Sequence, residues 1–438
     1  MEAQKPSEWF VLMKLKLKTA QEYAANQPWQ NWSIYRVPRR LREAQDNKVY
    51  VTQTVSIGPY HPTDEQLQSM DRHKWIALSR TLEHSGQDLD VYLDAIKRVE
   101  KQARACFQED ISHLSSNEFV EMMVLDGCFI LELFHCSPKT ENAHDLEAVI
   151  YNRTMIDDIL LDLVMLENQI PLSILDRLLE IISNNQPNYR AVDLALNLFN
   201  AEWLTCTQSL LHQEPQQNPI SLHNSWWQTF EKSPPEYVRK WYSFGLDSKR
   251  NHRQLIPRVT ELQESGVKLR RRSSNQFWDI KFNKGVLEIP SLWIQDSTKP
   301  TLLNLAAFEQ CHLDIKEAAI TSYLVFMECL IKSPEDVSYL NRHGIVQHLL
   351  GDDTEVVDML KIVAKEMLTD AHSNRYANLG DDVNAYCCQR RNIWRANLLR
   401  NYFNNPWVII SLVAAFFLLL LTVTQTVYTV WPFYRSAP

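Results

Sequence analysis

The sequence predicts a mainly α-helical protein: a large multi-helix globular domain with a small β-hairpin element and one C-terminal transmembrane helix. Three observations support this fold class. Apolar residues recur at spacings of three and four along most of the chain, as in amphipathic helices. One short region instead alternates apolar and polar residues about a glycine. One long region near the C-terminus is apolar and uncharged.

Runs with helical periodicity make up most of the predicted domain. They cover residues 64–80, 88–107, 115–134, 146–167, 172–183, 190–212, 301–313, 315–331, 354–369 and 377–401. We divide the chain into an N-terminal helical extension at 1–30, a globular domain at 31–400, and an anchor with a short tail at 401–438. Proline-bearing loops at 212–237 mark either a boundary between two lobes or a disordered insertion.

The hairpin prediction rests on residues 277–294. Apolar and polar residues alternate on both sides of the Asn-Lys-Gly turn at 283–285, which is a hairpin signal. Residues 49–62 are also rich in β-branched and aromatic side chains. We therefore expect a further strand there, ending before a turn at Gly58.

The C-terminal segment is interpreted as a membrane span. No charged residue occurs at 401–434, and residues 407–430 exceed the roughly 20 residues that a hydrocarbon core requires of a helix. Aromatic residues flank the segment, and Trp407, Trp431 and Tyr434 are the candidate membrane-interface residues. The alternative is a buried core helix, which would rarely stay uncharged over this length.

Basic residues set the expected orientation of this span. Four arginines occur at 390–400, before the span, and only Arg435 follows it, which favours a cytosolic large domain. The expected localisation is a single-pass membrane protein with a C-terminal anchor. The plasma membrane is favoured, although such a span fits several bilayers. Acceptor sequons at Asn31 and Asn152 keep the opposite topology open.

Composition and missing motifs disfavour several functional classes. The net charge of -8 and the lack of a long basic face argue against nucleic acid as the main partner. The 9 glycines form no phosphate-binding loop, and the 8 cysteines form no CxxC pair. No HExxH or GxSxG motif occurs either. We therefore expect no cofactor, no metal and no familiar hydrolase chemistry.

Polar residues interrupt two of the apolar helices, and they are the candidate site residues. Asp126 lies within one run, and Glu167, Asn168 and Gln169 lie at the end of another. Pro171 ends the second helix near Asn168, so the two amides can donate to carbonyls left unpaired at the helix end. A buried structural junction is the favoured interpretation, and a catalytic cluster is the alternative.

A buried carboxylate requires a partner, because an unpaired one would cost several kcal/mol. For Asp126 the available partners are Lys74, Arg36 and His73, supplied by the N-terminal part of the chain. In the alternative interpretation, Asp126 and Glu167 form the acid and base of a reaction.

Eight short motifs occur in a fixed order along nearly the whole chain. They are IYRVP at 34–38, VSIGPYH at 55–61, EFVEMMVLDGCFILELF at 118–134, LENQIP at 166–171, SGVKLR at 265–270, LEIPSLWI at 287–294, LLNLAAFEQ at 302–310, and Pro406 with Trp407. Together they resemble the plant family called domain of unknown function 247. PLSIL at 171–175 departs from the aromatic-rich continuation associated with that family. The resemblance implies one large, mainly helical domain, usually with a C-terminal membrane span and with no established enzyme activity.

The leading hypothesis is a non-enzymatic, membrane-tethered plant protein that acts as a protein-interaction or signalling module. Its expected partners are an unknown protein and, through the C-terminal helix, the lipid bilayer. The alternative is a membrane-proximal enzyme of unfamiliar type that uses Asp126, Glu167 or Glu309. Short basic runs at 12–18 and 268–274 are compatible with contact to anionic lipid or with a solvated surface.

Overall fold

The computed structural model describes residues 8–26, 31–43, 47–61, 67–135, 153–183, 189–202, 256–274, 276–311, 318–366, 375–398 and 406–435. The chain divides into two compact units. The first contains residues 1–247, 295–321 and 362–373, and the second contains 248–294, 322–361 and 374–438. The predicted loops at 212–237 lie outside the described residues.

The first unit is helical in its described part, and most of its helices follow the predicted periodicity. Its helices are α1 Glu8–Asn26, α2 Arg39–Glu43, α3 Gln68–Ser85, α4 Leu89–Ala105, α5 Ser116–His135, α6 Arg153–Val164, α7 Leu172–Ile182, α8 Ala191–Glu202 and α10 Thr298–Cys311. A short 3₁₀ turn covers Asn47–Tyr50.

Helix α5 lies at the centre of this unit and packs against α3, α4 and α7. Its inner side chains, such as Phe119 and Met123, are fully buried. Gly127 permits the close approach of α7, because a Cβ atom there would lie 2.3 Å from Cδ1 of Leu178. Burial on most sides explains why the α5 sequence is apolar around nearly its whole circumference.

The second unit combines helices with two small sheets. Its helices are α9 Val259–Glu264, α12 Pro334–Arg342, α14 Ala377–Cys387, α15 Arg390–Leu398 and α16 Pro406–Arg435, while α11 Ala319–Leu330 and α13 Asp353–Glu366 each have one end in the first unit. Strands β1 Lys268–Arg272, β3 Val286–Pro290 and β2 Lys281–Asn283 form one sheet in the order β1-β3-β2. Strands β4 Leu292–Ile294 and β5 Val346–His348 pair in parallel.

The mainly helical class and the predicted hairpin are confirmed. Strands β2 and β3 pair antiparallel, with Asn283 opposite Val286. Lys284 and Gly285 form the two-residue turn with φ angles of 46° and 81°, the positive values that such hairpin turns require.

The strand expected within 49–62 is not present in its described part. The 3₁₀ turn Asn47–Tyr50 is followed by an irregular backbone that contains no strand up to residue 61. The β-rich composition was misleading here because the backbone N–H groups find side-chain acceptors instead of a neighbouring strand.

The predicted transmembrane helix is a second correction. The segment is helical, as α16, yet no helix among the described residues has both the length and the apolarity needed to cross a membrane. Polar side chains interrupt its second half, and threonine hydroxyls there donate to the carbonyl four residues earlier, at Thr422, Thr424, Thr426 and Thr429. The prediction of a single-pass membrane localisation therefore lacks support.

Of the three candidate membrane-interface residues, Trp431 alone has a described side chain. The side chain of Trp431 is 63% exposed. The side chains of Trp407 and Tyr434 lie outside the described part of the structure.

Candidate functional site

Most of the polar residues singled out in the sequence bind one segment of the first unit, residues 33–43 and 47–60, whose backbone is irregular outside α2 and the 3₁₀ turn. Its start is fixed to the end of α4, where the N–H groups of Ser33 and Ile34 donate to the carbonyl of Cys106. Gln108 donates its N–H back to the carbonyl of Ile34. Beyond this anchor, side chains from the helices satisfy the backbone of the segment.

Asp162 of α6 accepts the largest number of these backbone bonds. Its Oδ1 atom accepts from the N–H of Gln53 at 3.0 Å, and its Oδ2 atom accepts from Thr54 at 2.7 Å and Val55 at 2.8 Å. Burial raises the pKa of Asp162 to about 6, against the lowering effect of these donors. One buried carboxylate thus supplies the acceptors that the carbonyl groups of a neighbouring strand would otherwise provide.

Two amides that follow α6 bond to the end of that helix, and Asn168 also binds the segment. Asn168 accepts from the N–H of Ile57 at 2.6 Å and donates to the carbonyls of Val55 at 3.0 Å and Asp162 at 2.9 Å. Gln169 donates to the carbonyls of Leu163 at 2.7 Å and Met165 at 2.8 Å. These bonds have the pattern expected of a helix-end junction.

Glu167 joins the beginning of the segment to the same junction. Its carboxylate accepts from the N–H of Val37 at 2.7 Å, from Arg36 at 3.0 Å, and from Arg42. Arg36 also donates to the carbonyl of Tyr60 at 2.9 Å and lies over the ring of that tyrosine, 4.3 Å from its centroid. Glu167 is 4% exposed, so its charge is compensated inside the protein by two guanidinium groups.

Asp126 of α5 binds the far end of the segment. Of the three partners considered from the sequence, Lys74 forms the ion pair, with an Nζ–Oδ1 distance of 2.6 Å. The other carboxylate oxygen accepts from the N–H of Gly58 at 2.8 Å, and Lys74 also donates to the carbonyl of Ser56 at 2.6 Å. Asp126 is 2% exposed, and both of its oxygens are engaged in bonds.

Gly58 is required where the segment meets the junction. Its φ angle is 71°, and a Cβ atom there would lie 2.4 Å from the carbonyl oxygen of Gln169. Any larger residue at this position would therefore push the backbone of the segment away from the backbone of Gln169. We call Asp126, Asp162, Glu167, Asn168 and Gln169 the polar clamp. The first four bind backbone N–H groups of this segment, and Gln169 closes the helix end beside them.

Glu309, the remaining candidate, serves a different segment. It lies in α10 and accepts from the N–H groups of Ile320 at 2.7 Å and Thr321 at 2.8 Å, and from the Thr321 hydroxyl at 2.7 Å. It therefore caps the first turn of α11. Burial raises its pKa to about 7, although these donors oppose the shift. The structure does not place Glu309 with the carboxylates of the polar clamp.

Sequence reasoning missed two members of this arrangement. Asp162 interrupts an apolar helix just as Asp126 does, so the same signal was available for it. Asn304 of α10 accepts from the N–H of Leu166 and donates to the carbonyl of Val49, each at 3.0 Å. Asn304 also interrupts an apolar run, at 302–308, so the same signal was available for it, although its partners lie far away along the chain.

An open surface lies beside the polar clamp, between helices α3, α4 and α5. A cleft of about 680 Å³ there has a largely apolar floor formed by Leu78, Val120 and Val124. The indole of Trp75 forms one wall and is 50% exposed. We call this cleft the acidic groove, because its rim carries the exposed carboxylates of Asp90, Asp94 and Glu121 with Lys97 as the lining cation.

A second cleft of about 350 Å³ adjoins the acidic groove and shares Trp75 with it. The ion pair of Lys74 and Asp126 lies in its wall, and Asp71 and Glu118 add further carboxylates. Among the described residues, no cluster of three or more histidine, cysteine or acidic side chains could hold a metal ion. Both clefts present carboxylates beside apolar side chains.

Comparison with known proteins identifies relatives over almost the full length. The chain matches the family DUF247, described as a plant protein of unknown function, over residues 34–421. It is 28% identical to UPF0481 protein At3g47200 of Arabidopsis thaliana over 428 residues, which cover 90% of this chain and 85% of that protein. It is 22% identical to Putative UPF0481 protein At3g02645 of the same plant, with coverage of 90% and 89%. No solved structure matches the chain.

The family match includes the segment 33–60 almost completely, together with the helices that carry the polar clamp. The resemblance inferred from the ordered motifs is thereby confirmed. The chain belongs to DUF247, a plant family of unknown function.

Proposed function

We propose that this protein is a non-enzymatic protein-interaction module that binds a partner protein through the acidic groove. The observation that carries the proposal is the exposed indole of Trp75 over an apolar floor, next to carboxylates on the rim. Exposed aromatic side chains on a concave apolar surface are typical of protein-binding sites.

The polar clamp supports the same proposal, because its carboxylates are poorly suited to catalysis. The carboxylates of Asp126 and Glu167 are buried and already accept bonds from cations and backbone N–H groups. Glu309 is likewise engaged in capping a helix. A general base needs a free lone pair directed at a substrate, and these carboxylates use theirs to fix the backbone.

Proximity labelling from the intact protein in plant cells tests the proposal, because it identifies neighbours without assuming a reaction. We expect Trp75→Ala to remove a defined set of labelled proteins. Trp293→Ala is the matched control, since Trp293 is 45% exposed and lies on β4 of the second unit. Identical labelling by the wild type and Trp75→Ala would contradict a role for the groove.

A further inference from the structure

Helix α1 has a large apolar surface exposed to solvent. Every described side chain of this helix, at 8–21, is exposed. Trp9, Leu12 and Met13 are 67%, 51% and 49% exposed, and their spacing of three and four places them on one face. Lys16 continues that face one turn later. A helix with so much apolar surface ordinarily packs against another surface.

The chemistry of this face is complementary to that of the acidic groove. The groove offers an apolar floor and an exposed indole to the apolar side chains of α1, and its acidic rim offers carboxylates to Lys16 on the same face. Lys14 lies on the other side of the helix and adds to its positive charge. The lengths agree as well. The groove follows α4 from Leu89 to Lys97, about 12 Å at 1.5 Å per residue, and the segment from Trp9 to Lys16 spans about 10 Å.

We infer that helix α1 of a second copy of this chain binds in the acidic groove, so that two copies exchange their N-terminal helices. The helix of the same chain does not fill its own groove, because its apolar face is exposed. In a dimer with one two-fold axis, each copy binds the α1 helix of the other, so that the apolar face of each helix is buried. This inference rests on the proposed function and names the partner of the same surface.

Charge reversal on either side tests the contact. Light scattering coupled to size exclusion, on the full chain over a range of concentrations, is expected to give the mass of a dimer. Both Lys14→Glu/Lys16→Glu and Asp94→Lys/Glu121→Lys bring like charges together, and each should raise the dissociation constant of the dimer by roughly 100-fold or more.

Mixing the two variants provides the decisive measurement. In a mixed pair, the acidic α1 of one variant faces the basic groove of the other, and the unaltered α1 faces the unaltered groove. Both contacts are then complementary, so a heterodimer should form from two variants that are monomeric alone. A misfolded variant would not recover in this way, and neither would a helix that binds its own groove.

Exposed charges elsewhere on the chain provide the controls. Asp381→Lys/Asp382→Lys on α14 and Arg390→Glu/Arg391→Glu at α15 change the same number of charges in the second unit. Both control variants should remain dimeric.

Three results would overturn the inference: a monomeric wild type at every concentration, groove and α1 variants that dimerise like the wild type, or variants that stay monomeric when mixed. None of these decides the proposed function, which depends on whether Trp75→Ala changes the labelled proteins. Loss of labelling with a monomeric wild type would leave the groove as a binding site for another protein. A dimer with identical labelling by the wild type and Trp75→Ala would support the inference and contradict the proposed function.

Discussion

Acidic side chains of the first unit occur in two different surroundings, the polar clamp and the acidic groove. In the polar clamp, Asp162 and Glu167 are 0% and 4% exposed and accept bonds from backbone N–H groups or arginines. In the acidic groove, Asp94 and Glu121 are exposed at the edge of an apolar floor. Asp126 of the polar clamp lies in the wall of the second cleft, which adjoins the acidic groove.

This difference shows why the residue type alone does not indicate a role. A buried carboxylate with several donors stabilises the fold, because removing it leaves those donors without partners. An exposed carboxylate beside apolar surface contributes little to stability and is available for recognition. Substitutions should therefore separate the regions by their effect on unfolding and on binding.

The largest effect on stability is expected for Lys74→Met. The substitution leaves the buried carboxylate of Asp126 without its cation, and breaking a buried pair from one side costs about 3–5 kcal/mol. Denaturant unfolding of the full chain measures the loss. The control Lys361→Met breaks an exposed pair with Asp358 and should leave the unfolding midpoint nearly unchanged. Equal losses in both variants would contradict the assignment of Asp126 to the polar clamp.

Glu309→Gln should change the pH dependence of stability. Burial raises the pKa of Glu309 from its ordinary value of 4.5 to about 7, so between these values the folded state holds a proton that the unfolded state has released. This group therefore makes the wild type less stable as pH rises through that window.

The variant lacks the titrating group, so its curve should lack this decline. The stability difference between wild type and Glu309→Gln should shift by up to on the order of 3 kcal/mol between pH 4 and 8. Unfolding measured at several pH values gives the two curves, and other titrating groups cancel in the difference. Parallel curves would rule out a raised pKa at this position.

Asn168→Ala and Gln169→Ala should each cost about 1–3 kcal/mol, because each leaves buried backbone groups without a partner. Thermal unfolding of the two variants and the wild type measures the cost. Should the melting temperature stay constant while partner binding is lost, both amides would belong to a binding site rather than to the junction.

The smallest effect on stability is expected for Asp94→Lys/Glu121→Lys. Both side chains are exposed, and substitutions at such positions usually change stability by no more than about 0.5 kcal/mol. Dimer formation should nevertheless be lost. A variant that unfolds much more easily than the wild type would show that the acidic groove contributes to the core, and the contrast with the polar clamp would then fail.

The sequence by itself determined the features that depend on neighbouring residues. Apolar spacing located most helices, and the Asn-Lys-Gly turn at 283–285 located the hairpin of β2 and β3. Interruption of apolar runs identified Asp126, Glu167, Asn168 and Gln169 as unusual, and ordered motifs identified the family. Each of these signals acts within one helix, one turn or one short motif, where the separation of residues along the chain fixes which side chains are neighbours.

Only the tertiary structure decided what the unusual residues bind. The N–H of Val37 and the carboxylate of Glu167 are 130 positions apart, and no local pattern records such a pair. The same limit explains the strand wrongly expected at 49–62, since Asp162 supplied acceptors from more than 100 positions away. It also explains why the acidic groove was not foreseen: its floor and rim come from three helices whose packing brings exposed charges beside apolar surface. Partners that meet through packing are set by the free energy of the whole fold, which local periodicity does not contain.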